Sequence, residues 1–250
     1  MKRVVILIAL LALLACCGWG QTLQAHTICD GVAVCVSNGG TTPAINTTTS
    51  NFLVACYPYF QGNPEPTLSD SQTNTWSALT TYCNNNGVCI RMKYVANPST
   101  NASHTFTISG ASSFSTLTVQ AWSGMATSTP FQTGTDQGNA AFGSDTNQLA
   151  TITPTGTSIV VSCLGGDNDT FSATAVTDNA AHLTYTKSDS QDEVNPYAIQ
   201  MWYSTTSGGS TTAPLWTVHQ MGSAITAASE AAFTASGGGG GSAVAIPHIF

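Results

Sequence analysis

NFLVACY at residues 51–57 and TSIVVSC at residues 157–163 decide how this chain folds. Each is a short apolar run carrying a cysteine near its end, and Cys56 and Cys163 stand 107 positions apart. A run with no polar alternation suits a strand covered on both faces. The two stretches also open longer parallels. Leu68-Ser69-Asp70 is echoed by Val176-Thr177-Asp178 at an offset of 108. Ile90, Met92 and Tyr94 are echoed by Ile199, Met201 and Tyr203 at 109, and Phe106 and Ile108 by Trp216 and Val218 at 110. The offset drifts as it does when loops gain single residues. Two copies make a duplication, not a solenoid.

Strand patterns fill both copies. Residues 51–59, 74–81, 88–96, 104–109 and 117–123 read as strands in the first, and 157–164, 182–187, 197–204 and 215–220 in the second, with a weaker one near 228–235. Ile90, Met92 and Tyr94 alternate with Arg91 and Lys93, the period of a pleated strand. Turn chemistry fills the gaps: Asn63-Pro64, Asn86-Gly87, Asn97-Pro98 and Ser109-Gly110. No long helical pattern occurs. The expectation is an all-β chain, a jelly-roll-like antiparallel β-sandwich of about ten strands built from two repeated halves. The halves span about 47–126 and 146–235 within a sandwich of 47–236, with residues 127–145 a polar connection. Tandem domains are the alternative.

The N-terminus, MKRVVILIALLALLACCGWGQT, has a positive start and an apolar run over 4–15. That run is too short to cross a bilayer and suits a signal peptide of residues 1–20. An alternative processing at Leu13-Leu14-Ala15-Cys16 resembles a lipobox and would leave Cys16 lipid-anchored. Residues 21–46 then form a Cys-stapled N-terminal segment, and 237–250 a Gly-rich tail. Either route implies a secreted or cell-surface protein with no integral membrane span.

Charged residues make up only 7% of the chain, against about 25% in ordinary globular proteins. Without residues 1–20 the cations are Arg91, Lys93 and Lys187, and the formal charge moves from −7 to −9. Three cations do not neutralise a phosphate backbone, so no nucleic-acid partner is expected. Six cysteines remain: Cys29, Cys35, Cys56, Cys83, Cys89 and Cys163. An even number behind a signal peptide implies disulfides. Cys29 and Cys35 bracket a small loop. Cys83 and Cys89 bracket NNNGV, a hairpin signal. That leaves Cys56 for Cys163, the equivalent places in the two copies. Zinc is the competing use, but no CxxC or His-Cys spacing supports it.

Candidate chemistry is sparse. Asp70 and Asp178 occupy equivalent positions; they could form a carboxylate pair for glycoside hydrolysis, or each could cap its own turn. Glu65, Glu193 and Glu230 are the only Glu residues, and none lies mid-strand in a persuasive pair. Asp167, Asn168 and Asp169, with Asp189, Asp192 and Glu193, are the densest oxygen-ligand groups. Asp167, Asp169 and Asp192 are candidate calcium ligands, without EF-hand spacing. His26, His104, His182, His219 and His248 lack metal or triad spacing, and no GxSxG occurs. Tyr57, Tyr59, Trp76, Trp122 and Trp202 are candidate rings for stacking on sugars; the ordinary alternative is that they fill the sandwich. Tyr94, Tyr203, Phe106 and Trp216 fall at equivalent alternating positions and belong to the core.

The order LVACY (53–57), LSDSQTNTW (68–76), MKYVANPSTNASHTFTISG (92–110), VQAWSGM (119–125) and PF (130–131) resembles a β-sandwich module of uncharacterised secreted bacterial and phage-encoded proteins. The resemblance covers about 47–236 and implies a sandwich fold. It carries over no activity and no site residues. The ending SGGGGGSAVAIPHIF departs from the single closing strand usual there. Together these features favour a secreted non-enzymatic protein of adhesive, structural or glycan-binding role, with a glycan or cell-surface component as partner. The alternative is a glycoside hydrolase or polysaccharide lyase on a sandwich scaffold.

Overall fold

The structure, a computed structural model, describes residues 20–29, 39–84, 87–110, 116–142, 144, 146–167, 171–191, 197–220 and 225–237. Signal peptide and Cys16, most of the Gly-rich tail, Cys35, Asp169 and Asp192 lie outside them. The described residues form an all-β protein with antiparallel strands. The first eight are β1 (Thr22–Cys29), β2 (Gly39–Thr41), β3 (Phe52–Phe60), β4 (Thr67–Asp70), β5 (Ser77–Cys83), β6 (Val88–Ala96), β7 (Phe106–Ser109) and β8 (Leu117–Ser123). The second eight are β9 (Gln137–Phe142), β10 (Thr146–Gln148), β11 (Ser158–Asp167), β12 (Phe171–Asp178), β13 (Thr186–Gln191), β14 (Tyr197–Thr206), β15 (Pro214–Gln220) and β16 (Ile225–Thr234).

They make four sheets. The first eight give a five-stranded sheet, β1-β8-β3-β6-β5, and a three-stranded sheet, β2-β7-β4. The second eight give β9-β16-β11-β14-β13 and β10-β15-β12. Adding eight to every strand number of the first pair reproduces the second. In each half the pairing is nested, first strand with last, second with seventh, third with sixth.

The two five-stranded sheets face each other. β3 meets β11, β6 meets β16, β8 meets β14, and the edges β1 and β5 meet β13 and β9. Exchanging halves maps this set of contacts onto itself, the signature of a pseudo-two-fold axis. The axis runs by Cys56 and Cys163, which are disulfide-bonded with Cα atoms 6.5 Å apart. Cys83 and Cys89, directly opposite across the β5–β6 hairpin, form a second disulfide. Cys29 is also disulfide-bonded; Cys35, its expected partner, lies outside the described residues.

This layering explains the apolar runs. Phe52, Val54 and Cys56 of β3 point into the central layer with Met92, Ile159, Val161, Cys163, Met201 and Phe233. Leu53, Ala55 and Tyr57, between them, point outward to Phe106 and Ile108 of the first three-stranded sheet. In β11, Val160 and Leu164 turn outward to Trp216 and Val218. Both faces of β3 and β11 are therefore dry, and each such side chain adds about 1.5–3 kcal/mol of burial.

The architecture exceeds the expected strand count. Ten strands form the central pair of sheets, and six more cover its outer faces. The N-terminal segment 21–46 supplies β1 and β2, and the polar connection 127–145 supplies β9. All three are edge strands, and β1 reads exposed-intermediate through its first half, so their patterns lacked apolar runs.

Candidate functional site

Charge is concentrated at one place. Arg91 and Lys93 lie two apart on β6 and project from its outer face beside Tyr57 of β3. The loop after β3 brings Glu65 over them. Glu65 Oε1 accepts a hydrogen bond from the Tyr57 hydroxyl at 2.7 Å, lies 3.1 Å from Lys93 Nζ and 3.4 Å from Arg91 Nε. Lys93 Nζ also sits over the Tyr57 ring, 5.4 Å from its centroid, and Arg91 Nη1 donates to Thr81 Oγ1. The side chains of Glu65, Arg91 and Lys93 are 30%, 19% and 16% exposed. Partial burial pushes the Glu65 carboxyl up, but the hydrogen bonds from Tyr57 and Lys93 and the two cationic charges outweigh it and hold it low. Burial, then the bond to Glu65, pushes the Tyr57 hydroxyl far up. Tyr57 here is a donor locked in place and not an acid–base group.

A second constellation has the order of a hydrolytic triad. Asp70 Oδ1 lies 3.2 Å from His104 Nε2, and His104 Nδ1 lies 3.0 Å from Thr47 Oγ1. All three are buried, with Thr47 and His104 at 0% exposure. Thr47 Oγ1 also receives Asn101 N–H, so the relay pins a loop and reaches no solvent. Asp70 further accepts from the backbone N–H of Gln72 and Asn74 and from Trp76 Nε1. Burial pushes its carboxyl up; the bonds from His104, Gln72, Asn74 and Trp76 more than reverse that. Asp178 accepts only backbone N–H groups, from Ala180, Ala213, His182 and Leu183. The two aspartates sit in separate outer layers and each caps its own turn, as one of the two sequence readings holds; they form no pair.

The proposed aromatic platform is not assembled. Tyr57 and Trp122 are buried, Tyr59 is nearly so, and Trp76 and Trp202 are half-buried. Trp122 wedges between the central sheets, edge-on to Tyr203. Trp76 packs edge-on to Phe106, and Trp202 edge-on to Trp216 beneath Lys187. Tyr57, Tyr59 and Trp76 belong to one outer core, Trp122 to the central one and Trp202 to the other outer one. For Tyr57, Tyr59 and Trp122 the ordinary one of the two sequence readings holds, since a strand covered on both sides buries its rings whichever way they point.

Of the candidate calcium ligands, Asp169 and Asp192 lie outside the described residues, as does the Asp167 side chain. Among the described residues no group of three or more His, Cys, Asp or Glu is gathered for a metal. Asp189 instead joins the two five-stranded sheets, taking His26 Nδ1 at 2.8 Å and Thr118 Oγ1 at 3.0 Å. Glu230 is fully buried on β16, and among the described residues neither of its oxygens has a hydrogen-bond partner. Burial, then the charge of Asp178, pushes its carboxyl well up.

One accessible concavity that sequence reasoning missed is a groove of about 590 Å³ where β1 begins and β8 and β16 end. Thr22, Gln24, Thr49, Asn51, Ser123 and Ser236 line it with amides and hydroxyls and no charge. Gln24 bridges Thr49 and Ser123, so its rim is pre-ordered. The signal was dispersed over four segments that only the sheet topology brings together. No protein-family model, curated protein or solved structure matches the chain.

Proposed function

We propose that this chain is a secreted, non-enzymatic β-sandwich protein of the cell exterior, adhesive or structural in role and able to hold glycan. The observation that carries the reading is the division between sealed and open polar groups. The triad-like relay, both turn aspartates and Glu230 are sealed or spent on backbone. The open groups are the neutral amide–hydroxyl groove and the Arg91–Lys93 shelf, which suit hydroxyl-rich ligands without positioning a nucleophile or base. Disulfides in an acidic, cation-poor chain agree with an oxidising exterior, and the resemblance to secreted sandwich modules points the same way.

Arraying the protein against polysaccharides tests this. Retention of one class without release of reducing ends supports the reading. Absence of retention, with self-assembly by light scattering, leaves only the structural role. The rival, a polysaccharide-active enzyme, draws on Tyr57, Arg91, Lys93 and Glu65 being grouped; the burial of Tyr57 weighs against it. Cleavage of any polysaccharide, abolished by Glu65→Gln, would establish the rival.

A further inference from the structure

We infer that the Arg91–Lys93 shelf is a binding site for the carboxylate of an acidic, uronate-bearing polysaccharide. This rests on the glycan-binding reading and names its ligand class. In a chain with three cations after residue 20, two stand side by side on one strand face, about 6–7 Å apart. They are mostly buried and share one carboxylate, through a single oxygen of Glu65. The local charge is therefore +1, partly desolvated, in a molecule whose formal charge is −9 after residue 20. Removing cations from water is costly unless anions compensate, and folding alone supplies only one.

The geometry leaves donors to spare. Arg91 directs Nη1 to Thr81 Oγ1 and Nε toward Glu65, which leaves the Nη2 edge of the guanidinium. Lys93 uses one direction on Glu65 and lies over Tyr57, which leaves further ammonium protons. A planar guanidinium edge with an adjacent ammonium is the donor set that a carboxylate takes in charge-assisted hydrogen bonds. Tyr57, immobile beneath Lys93, and Thr81, held by Arg91, fix both cations in advance, so little ordering is required on binding. The shelf reaches solvent on the β5 side: Thr81 stands opposite Arg91 and Ala78 opposite Lys93, and Arg91, Lys93 and Thr81 are half-buried while Ala78 is exposed. The rings of Tyr57 and Tyr59 are not presented, so recognition is ionic and not by stacking.

The probe is polygalacturonate, with dextran as neutral comparison, titrated calorimetrically into the full chain at low and high salt. The wild type should bind polygalacturonate at low salt and lose it at high salt. Lys93→Gln should weaken binding by about fivefold, and Lys187→Gln, on the other half, should not. Glu65→Gln, which removes the competing anion, should tighten binding by about as much, a gain that misfolding cannot mimic. If polygalacturonate binds equally to all four proteins, or Glu65→Gln does not tighten it, the site is wrong while glycan binding stands. If only dextran binds, the ligand class is wrong. If neither binds, the site and the glycan reading fall together. Shortening of polygalacturonate during titration would show a hydrolase or lyase and overturn a pure binding role.

Discussion

Single residues fix this protein's response to pH, in opposing directions. Glu230 is buried with no hydrogen-bond partner among the described residues, and its carboxyl is raised well above the ordinary 4.5. Below that value folded and unfolded chains are both protonated there and no cost arises. As pH rises the unfolded chain ionises first, and stability is lost until the folded carboxyl also ionises. Asp70, Asp178 and Glu65 are shifted down; their contribution is present above the ordinary carboxylate range and is lost as pH falls below it. Stability should therefore peak on the acid side, at about pH 4–5. Glu230→Gln should raise denaturant stability at pH 7 by about 1–3 kcal/mol and leave it nearly unchanged at pH 4. An unchanged pH 7 midpoint would contradict this. Asp178→Asn turns an acceptor-only group, holding four backbone N–H donors, into a mixed one. It should cost about 1–3 kcal/mol by thermal or urea unfolding at pH 7. Sequence showed that Asp70 and Asp178 are equivalent and turn-forming. It did not show His104 beside Asp70, because His104 arrives from a loop 34 residues on with no local pattern.

At the scale of strands, legibility followed burial. β3, β6, β8 and β11 were readable because they are long and apolar on at least one full face. β6 shows the alternation directly, Ile90 and Met92 inward and Arg91 and Lys93 outward. β16 was read as a weak strand because ITAASEAAFT is rich in Ala and Ser, yet nine of its ten residues are buried. It is a central strand made of small residues so that neighbouring sheets approach closely. β5 and β13 were placed a few residues early, since bulges shift both registers. Close approach has a measurable consequence. A Cβ on Gly165 of β11 would stand 2.7 Å from Pro58 Cβ of β3, and one on Gly138 of β9 would fall 2.1 Å from the Tyr82 ring of β5. Gly165→Ala and Gly138→Ala should each destabilise by about 1–3 kcal/mol in chemical unfolding. Gly134→Ala meets nothing within 4 Å, but its φ of +86° makes it a test of backbone strain, with a cost of about 1 kcal/mol.

The whole molecule is two stacked sandwiches with one covalent rivet through their shared layer. The pairing of Cys56 with Cys163 was legible from repeat equivalence; of the outer three-stranded sheets only the middle strands β7 and β15 were, since short flanking strands such as β2 and β10 leave little pattern. The rivet closes a loop of 107 residues, worth about 4–5 kcal/mol in the chain-entropy picture. Cys56→Ala/Cys163→Ala should lose about that much by urea unfolding. Under tension the same bond acts as a mechanical stop. Pull on residues 20 and 237, and the force path runs from β1 to Cys56, across the sulfurs, and out from Cys163 to β16. The chain between the cysteines bears no load, so about 370 Å of contour stays hidden, at roughly 3.5 Å per residue. Single-molecule stretching should show a short extension with the bond intact, and a release of that hidden length once a reductant is added. In the adhesive role proposed above, such a stop would set how far the molecule can be drawn out under load.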